Sequence, residues 1–105
     1  MADAELFAEI REAQGRGERR VLATVADARG STPRSPGAQL LLRPDGSFRG
    51  TIGGGCGEAE VWQEAMETMA DGQPRIVTVD LTEDVEGDDK ICGGVMDVFI
   101  ERIAD

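Results

Sequence analysis

From Ala4 to about Ala13, the apolar residues Leu6, Phe7, Ile10 and Ala13 recur at helical spacing with charges between them, and Gly15 and Gly17 end the run. The pattern predicts an amphipathic helix. Arg20 to Ala28 is rich in β-branched and small apolar residues, with Val21, Ala23 and Val25 alternating against Leu22, Thr24 and Ala26, which predicts a largely buried strand. Gly30 to Gly37 holds two prolines and two glycines and is read as a stiff loop. Ala38 to Arg43 alternates around Leu40 and Leu42, Pro44-Asp45-Gly46 is a turn by composition, and Ser47 to Ile52 returns as the second strand of a hairpin. After the glycine run that follows, Ala59, Trp62, Ala65, Met66 and Met69 mark a second helix ending at Asp71-Gly72, with Trp62, Met66 and Met69 assigned to the core. Ile76 to Leu81 and Val95 to Ile103 read as strands flanking the acidic stretch 83–90. This order predicts a single α+β or α/β domain, a mixed sheet of about five strands covered by two main helices.

Composition narrows the function. The chain has 105 residues and 40% apolar content, enough for one modest core. Twenty-one acidic residues against eleven basic ones give a net charge of −10, which repels phosphate backbones and anionic lipid, so nucleic acid and membrane are excluded as partners. No stretch approaches the roughly 18 apolar residues of a spanning helix, and the start Met1-Ala2-Asp3-Ala4-Glu5 lacks the basic, then apolar, pattern of a secretory signal. A cytoplasmic protein is expected. In that compartment the two cysteines are read as thiols in preference to a structural bridge. Histidine and tyrosine are absent, which removes Cys-His and Ser-His nucleophile pairs and histidine-ligated zinc.

The chemistry concentrates at Thr51-Ile52-Gly53-Gly54-Gly55-Cys56-Gly57-Glu58. Three glycines let successive backbone N–H groups converge on an anion, and the following helix adds the positive end of its dipole. A cysteine there holds its thiolate more easily than one in a core. A tight turn with Cys56 packed as a small apolar residue fits the same letters. Neither a Gly-x-Gly-x-x-Gly fingerprint nor a P-loop is present, so no conventional dinucleotide or ATP site is indicated. Glu58 favours the helix start through the dipole but would repel an anion held there. It is a candidate acceptor for a ligand N–H.

The second cysteine sits in Ile91-Cys92-Gly93-Gly94, an approximate mirror of the first motif. Two thiols beside paired glycines can line one pocket and meet a soft metal centre, or exchange a sulfur. Cys92 can equally be a buried thiol at a strand entrance. Their separation fits no C-x-x-C zinc or redox motif. In the loop Gly30 to Gly37, Ser31, Thr32 and Ser35 offer hydroxyls and Arg34 a guanidinium fork suited to phosphate, against the plainer reading of a stiff connector. The acidic run 83–89 does not match an EF-hand loop and reads as solvated.

Taken together, Ala23-Thr24-Val25, Gly30-Ser31-Thr32-Pro33-Arg34, Pro36-Gly37-Ala38, Asp45-Gly46, the run Gly50 to Glu58, and Cys92-Gly93-Gly94 ahead of a Val-Phe-Ile-Glu strand resemble the N-terminal domain of the XdhC/CoxI family of xanthine dehydrogenase accessory proteins. The resemblance spans about residues 20 to 102. It implies an accessory protein that binds molybdenum cofactor (molybdopterin) as cargo, assists its sulfuration and delivers it to a molybdenum hydroxylase apoenzyme such as xanthine or carbon monoxide dehydrogenase. Carried onto this chain, Gly53, Gly54 and Gly55 supply backbone donors, Cys56 contacts the metal or its sulfur, Cys92 with Gly93 assists, and Thr32 with Arg34 stabilises the phosphate. Gly53 stands where relatives often have serine. Full-length relatives carry a second, Rossmann-type domain. The 105-residue sequence lacks it, so a separate Rossmann-domain protein or a homo-oligomer is an expected partner, alongside a sulfur donor. Two rival readings remain: a sulfur-transfer enzyme with Cys56 as nucleophile and Glu58 as proton relay, and a protein whose role is purely structural docking.

Overall fold

The computed structural model describes residues 4–30, 36–52, 57–80 and 94–104. Helix α1 (Ala4–Arg16) is followed by β1 (Arg20–Gly30), the hairpin β2 (Gln39–Leu42) and β3 (Phe48–Gly50), helix α2 (Glu58–Asp71), β4 (Arg75–Asp80) and β5 (Gly94–Ala104). The strands form one sheet in the order β3-β2-β1-β5-β4. Among the described residues five strands and two helices are present as the periodicities predict, and the domain is α+β. Every pairing is antiparallel, however, where the sequence predicts a mixed sheet. The reason is topological: α2 joins β3 to β4, which run in the same direction but form opposite edges of the sheet and never become neighbours.

One helix covers each face. The larger core lies under α2, where Val61, Ala65 and Met69 pack on Val21, Ala23 and Val25 of β1, Leu40 and Leu42 of β2, Val77 and Val79 of β4, and Met96, Val98 and Ile100 of β5. On the opposite face Leu6 of α1 packs on Leu22 and Leu41, with Ile10 and Ile103 beside them. This explains why Leu40, Leu41 and Leu42 are all buried although their side chains point alternately to the two faces. Trp62 departs from the sequence reading. It is 39% exposed, not core, because α2 turns Val61, Ala65, Thr68 and Met69 inward, and its indole N–H donates to the carbonyl of Gly46 at 3.0 Å. Phe7 is likewise on the rim of α1, 43% exposed.

An ion-pair cluster fastens α1 to the sheet. The Glu9 carboxylate accepts from Arg43 at 2.7 and 2.9 Å, a two-pronged contact, and from Arg20 at 3.0 Å. The Arg43 guanidinium, followed by that of Arg20, holds the Glu9 carboxyl below its usual range against the opposing effect of burial. A carboxylate depressed in the folded state contributes stability that is full above the unfolded glutamate pKa of about 4.3, and is lost as pH falls through the folded value. Glu9→Gln should therefore melt below wild type at neutral pH, and the gap should close as pH drops below the ordinary carboxylate range. Thermal melts from pH 7 to pH 3 check this; a gap that widens with acid would contradict it.

Candidate functional site

Strands β1, β3 and β4 end, and β2 and β5 begin, at one end of the sheet. There Gly30 pairs with Gly94, Leu40 with Gly50, and Asp80 with Val95. The sequence motifs depart from this end. Thr32 and Arg34 follow β1, Gly53, Gly54, Gly55 and Cys56 follow β3, and Cys92 and Gly93 precede β5. These eight residues lie outside the described ones, as does Leu81, so their side chains and mutual distances form no part of the geometry below. What the structure gives is the frame that holds the glycine-cysteine run from both sides, including Glu58.

On the entry side, Gly50 has φ +93°, a conformation L side chains rarely adopt, and a Cβ there would collide with the backbone carbonyl of Gln39 on the adjacent strand. The chain is thereby turned off the sheet edge. Ile52, two residues on, is fully buried in the α2-side core and pins the start of the run. On the exit side, Gly57 has φ +80°, and a Cβ would stand 2.5 Å from Cγ1 of Val79. The start of α2 thus rests directly on β4, and the Gly57 carbonyl accepts the first helical bond from Val61 N–H at 3.1 Å.

Between these anchors the Glu58 side chain reaches back. Its Oε2 accepts from Thr51 Oγ1 at 2.6 Å and from the Ile52 N–H at 3.3 Å. No local rule exposes this link in the sequence, since a capping box spaces its hydroxyl and carboxylate three residues apart, whereas Thr51 and Glu58 are seven apart. The helix start carries Glu58 and Glu60, which complement the dipole, and Gly57 offers no side-chain cap. Among the described residues no three acidic or cysteine side chains gather as metal ligands, and no helix is long and apolar enough to cross a membrane.

The profile of the XdhC and CoxI family matches residues 13–80, a stretch that contains the Gly30–Gly37 loop, the glycine-cysteine run and α2. The chain belongs to the XdhC and CoxI family. Within it, the chain is 44% identical over 82 residues to Escherichia coli K12 YqeB, covering 75% of this chain and 15% of that protein. It is 42% identical over 64 residues to the molybdenum cofactor insertion chaperone PaoD of the same organism, covering 61% of this chain and 20% of PaoD. A probable xanthine dehydrogenase component of Bacillus subtilis is 30% identical over 93 residues, 82% of this chain and 27% of that protein. The crystal structure of a xanthine dehydrogenase from Bacillus halodurans superposes with a TM-score of 0.78 at 31% identity over 98% of this chain and 31% of that one. The chain thus spans less than a third of the XdhC and CoxI relatives it matches.

Proposed function

We propose that this chain is an accessory protein that binds molybdenum cofactor at the end of the sheet where the three motif-bearing segments are anchored, and assists its sulfuration and insertion into a molybdenum hydroxylase. The observation that carries this reading is that shared anchorage, in a family whose member PaoD is a molybdenum cofactor insertion chaperone. Chemistry supports it from the residue types. A phosphate suits consecutive backbone N–H groups at a helix start and an arginine fork, and a metal that takes sulfur ligands suits a thiolate. In this reading Gly53, Gly54 and Gly55 present donors, Cys56 meets the metal or its sulfur, Cys92 and Gly93 assist, and Thr32 with Arg34 engages the phosphate. The protein works in the cytoplasm on an apoenzyme partner of the xanthine dehydrogenase type.

The test is occupancy. Protein purified anaerobically from a host supplied with the cofactor should carry molybdenum, by elemental mass spectrometry, and fluorescent pterin oxidation products in matching amounts. Cys56→Ala should lower both at least tenfold and Cys92→Ala by less. Wild-type protein with neither molybdenum nor pterin under saturating supply would defeat the proposal.

A further inference from the structure

We infer that Glu58 is a positioning residue, acting as the hydrogen-bond acceptor of a latch that fixes the ends of the glycine-cysteine run. The inference rests on the reading above that this run binds the cargo. Its basis is geometric. The Thr51 hydroxyl donates to Glu58 Oε2 at 2.6 Å, and the Ile52 N–H donates to the same oxygen at 3.3 Å. These bonds tie Thr51 and Ile52 to Glu58, with buried Ile52 on one side and Gly57 seated on Val79 on the other.

The latch has a thermodynamic purpose. Glycine loses more backbone freedom on ordering than any other residue, and every residue between Ile52 and Glu58 except Cys56 is a glycine. Holding both ends beforehand reduces the loss, which is how preorganised sites gain affinity without new contacts. Glutamine keeps an oxygen able to accept both bonds, whereas alanine keeps none.

The experiment uses cofactor-free protein in a Cys92→Ser background, so that Cys56 is the single thiol. Amide exchange of Ile52 and the rate of Cys56 alkylation by iodoacetamide are followed in wild type, Glu58→Gln, Glu58→Ala and the milder Thr51→Val, each first checked for a cooperative melt. Glu58→Ala should accelerate Ile52 exchange about tenfold, equivalent to ~1.4 kcal/mol, and change the alkylation rate at least threefold. Glu58→Gln should stay within about twofold of wild type in both, as expected when the acceptor atom is kept. Thr51→Val should fall between. Wild-type exchange and alkylation in Glu58→Ala and Thr51→Val would overturn the latch, and so would Glu58→Gln behaving like Glu58→Ala. Because both readouts need no cofactor, failure of wild type to take up molybdenum would defeat the proposed function while leaving the latch standing.

Discussion

Gly50→Ala is expected to cost about 3 kcal/mol of unfolding free energy, a large share of the 5–15 kcal/mol that holds an ordinary domain together. Two penalties combine. Alanine is strained at φ +93°, and its methyl group meets the Gln39 carbonyl, a backbone atom that cannot swing aside as a side chain would. Relief requires β3 to part from β2 at the Leu40–Gly50 pair, which would move the chain just ahead of Thr51. Gly15→Ala provides the contrast, since Gly15 lies in α1 with nothing within 4 Å of the added carbon. That change should stabilise by roughly 0.5–1 kcal/mol. Denaturant midpoints of the two variants should therefore move in opposite directions. A Gly50→Ala midpoint at the wild-type value would mean that the end of β3 does not adopt this turn.

Ile52→Ala should be comparably damaging, by about 3 kcal/mol, because a fully buried isoleucine leaves both lost transfer energy and a cavity. Its neighbours are the same residues that α2 packs on, so the cavity opens at the seam between helix and sheet. The Ile52 N–H survives the substitution, and with it the bond to Glu58. Ile52→Val, which removes one methylene, should cost about 1 kcal/mol. Equilibrium denaturation of the pair checks the ratio. A loss under about 1 kcal/mol for the alanine variant would show that Ile52 does not anchor the run.

Much of this fold is legible in the sequence, element by element. Helical spacing finds α1 and α2, alternation finds β1, β4 and β5, and Pro44-Asp45-Gly46 finds the hairpin, whose turn is closed by Arg43 N–H to Ser47 carbonyl at 2.9 Å. What periodicity cannot rank is which of two adjacent apolar residues on a helix faces in. Val61 and Trp62 are next to each other, and the smaller one is buried. The strand order and the antiparallel pairing also escape, since they depend on where α2 crosses and no local residue records that. Of the candidate site, the motifs and their chemistry are visible in the letters, and the architecture shows their flanks sharing one end of the sheet. The Thr51–Glu58 link is invisible there because it joins a strand exit to a helix entry across a separation that no helical or strand period repeats.

The two central strands, β1 and β5, are paired from Arg20 with Ala104 to Gly30 with Gly94, so the middle of the sheet is built from stretches near opposite ends of the chain. Closing so large a loop carries an entropic toll that is repaid only once the pairing is complete, which places this domain among slower folders of its size. The hairpin can form early during synthesis; the sheet centre must wait for residues 94–104 to leave the ribosome. Until then β1 lacks its long partner and presents a bare apolar edge, the kind of surface on which nascent chains stick to one another. The vulnerable interval for this domain is therefore the one between the synthesis of β1 and the arrival of residues 94–104.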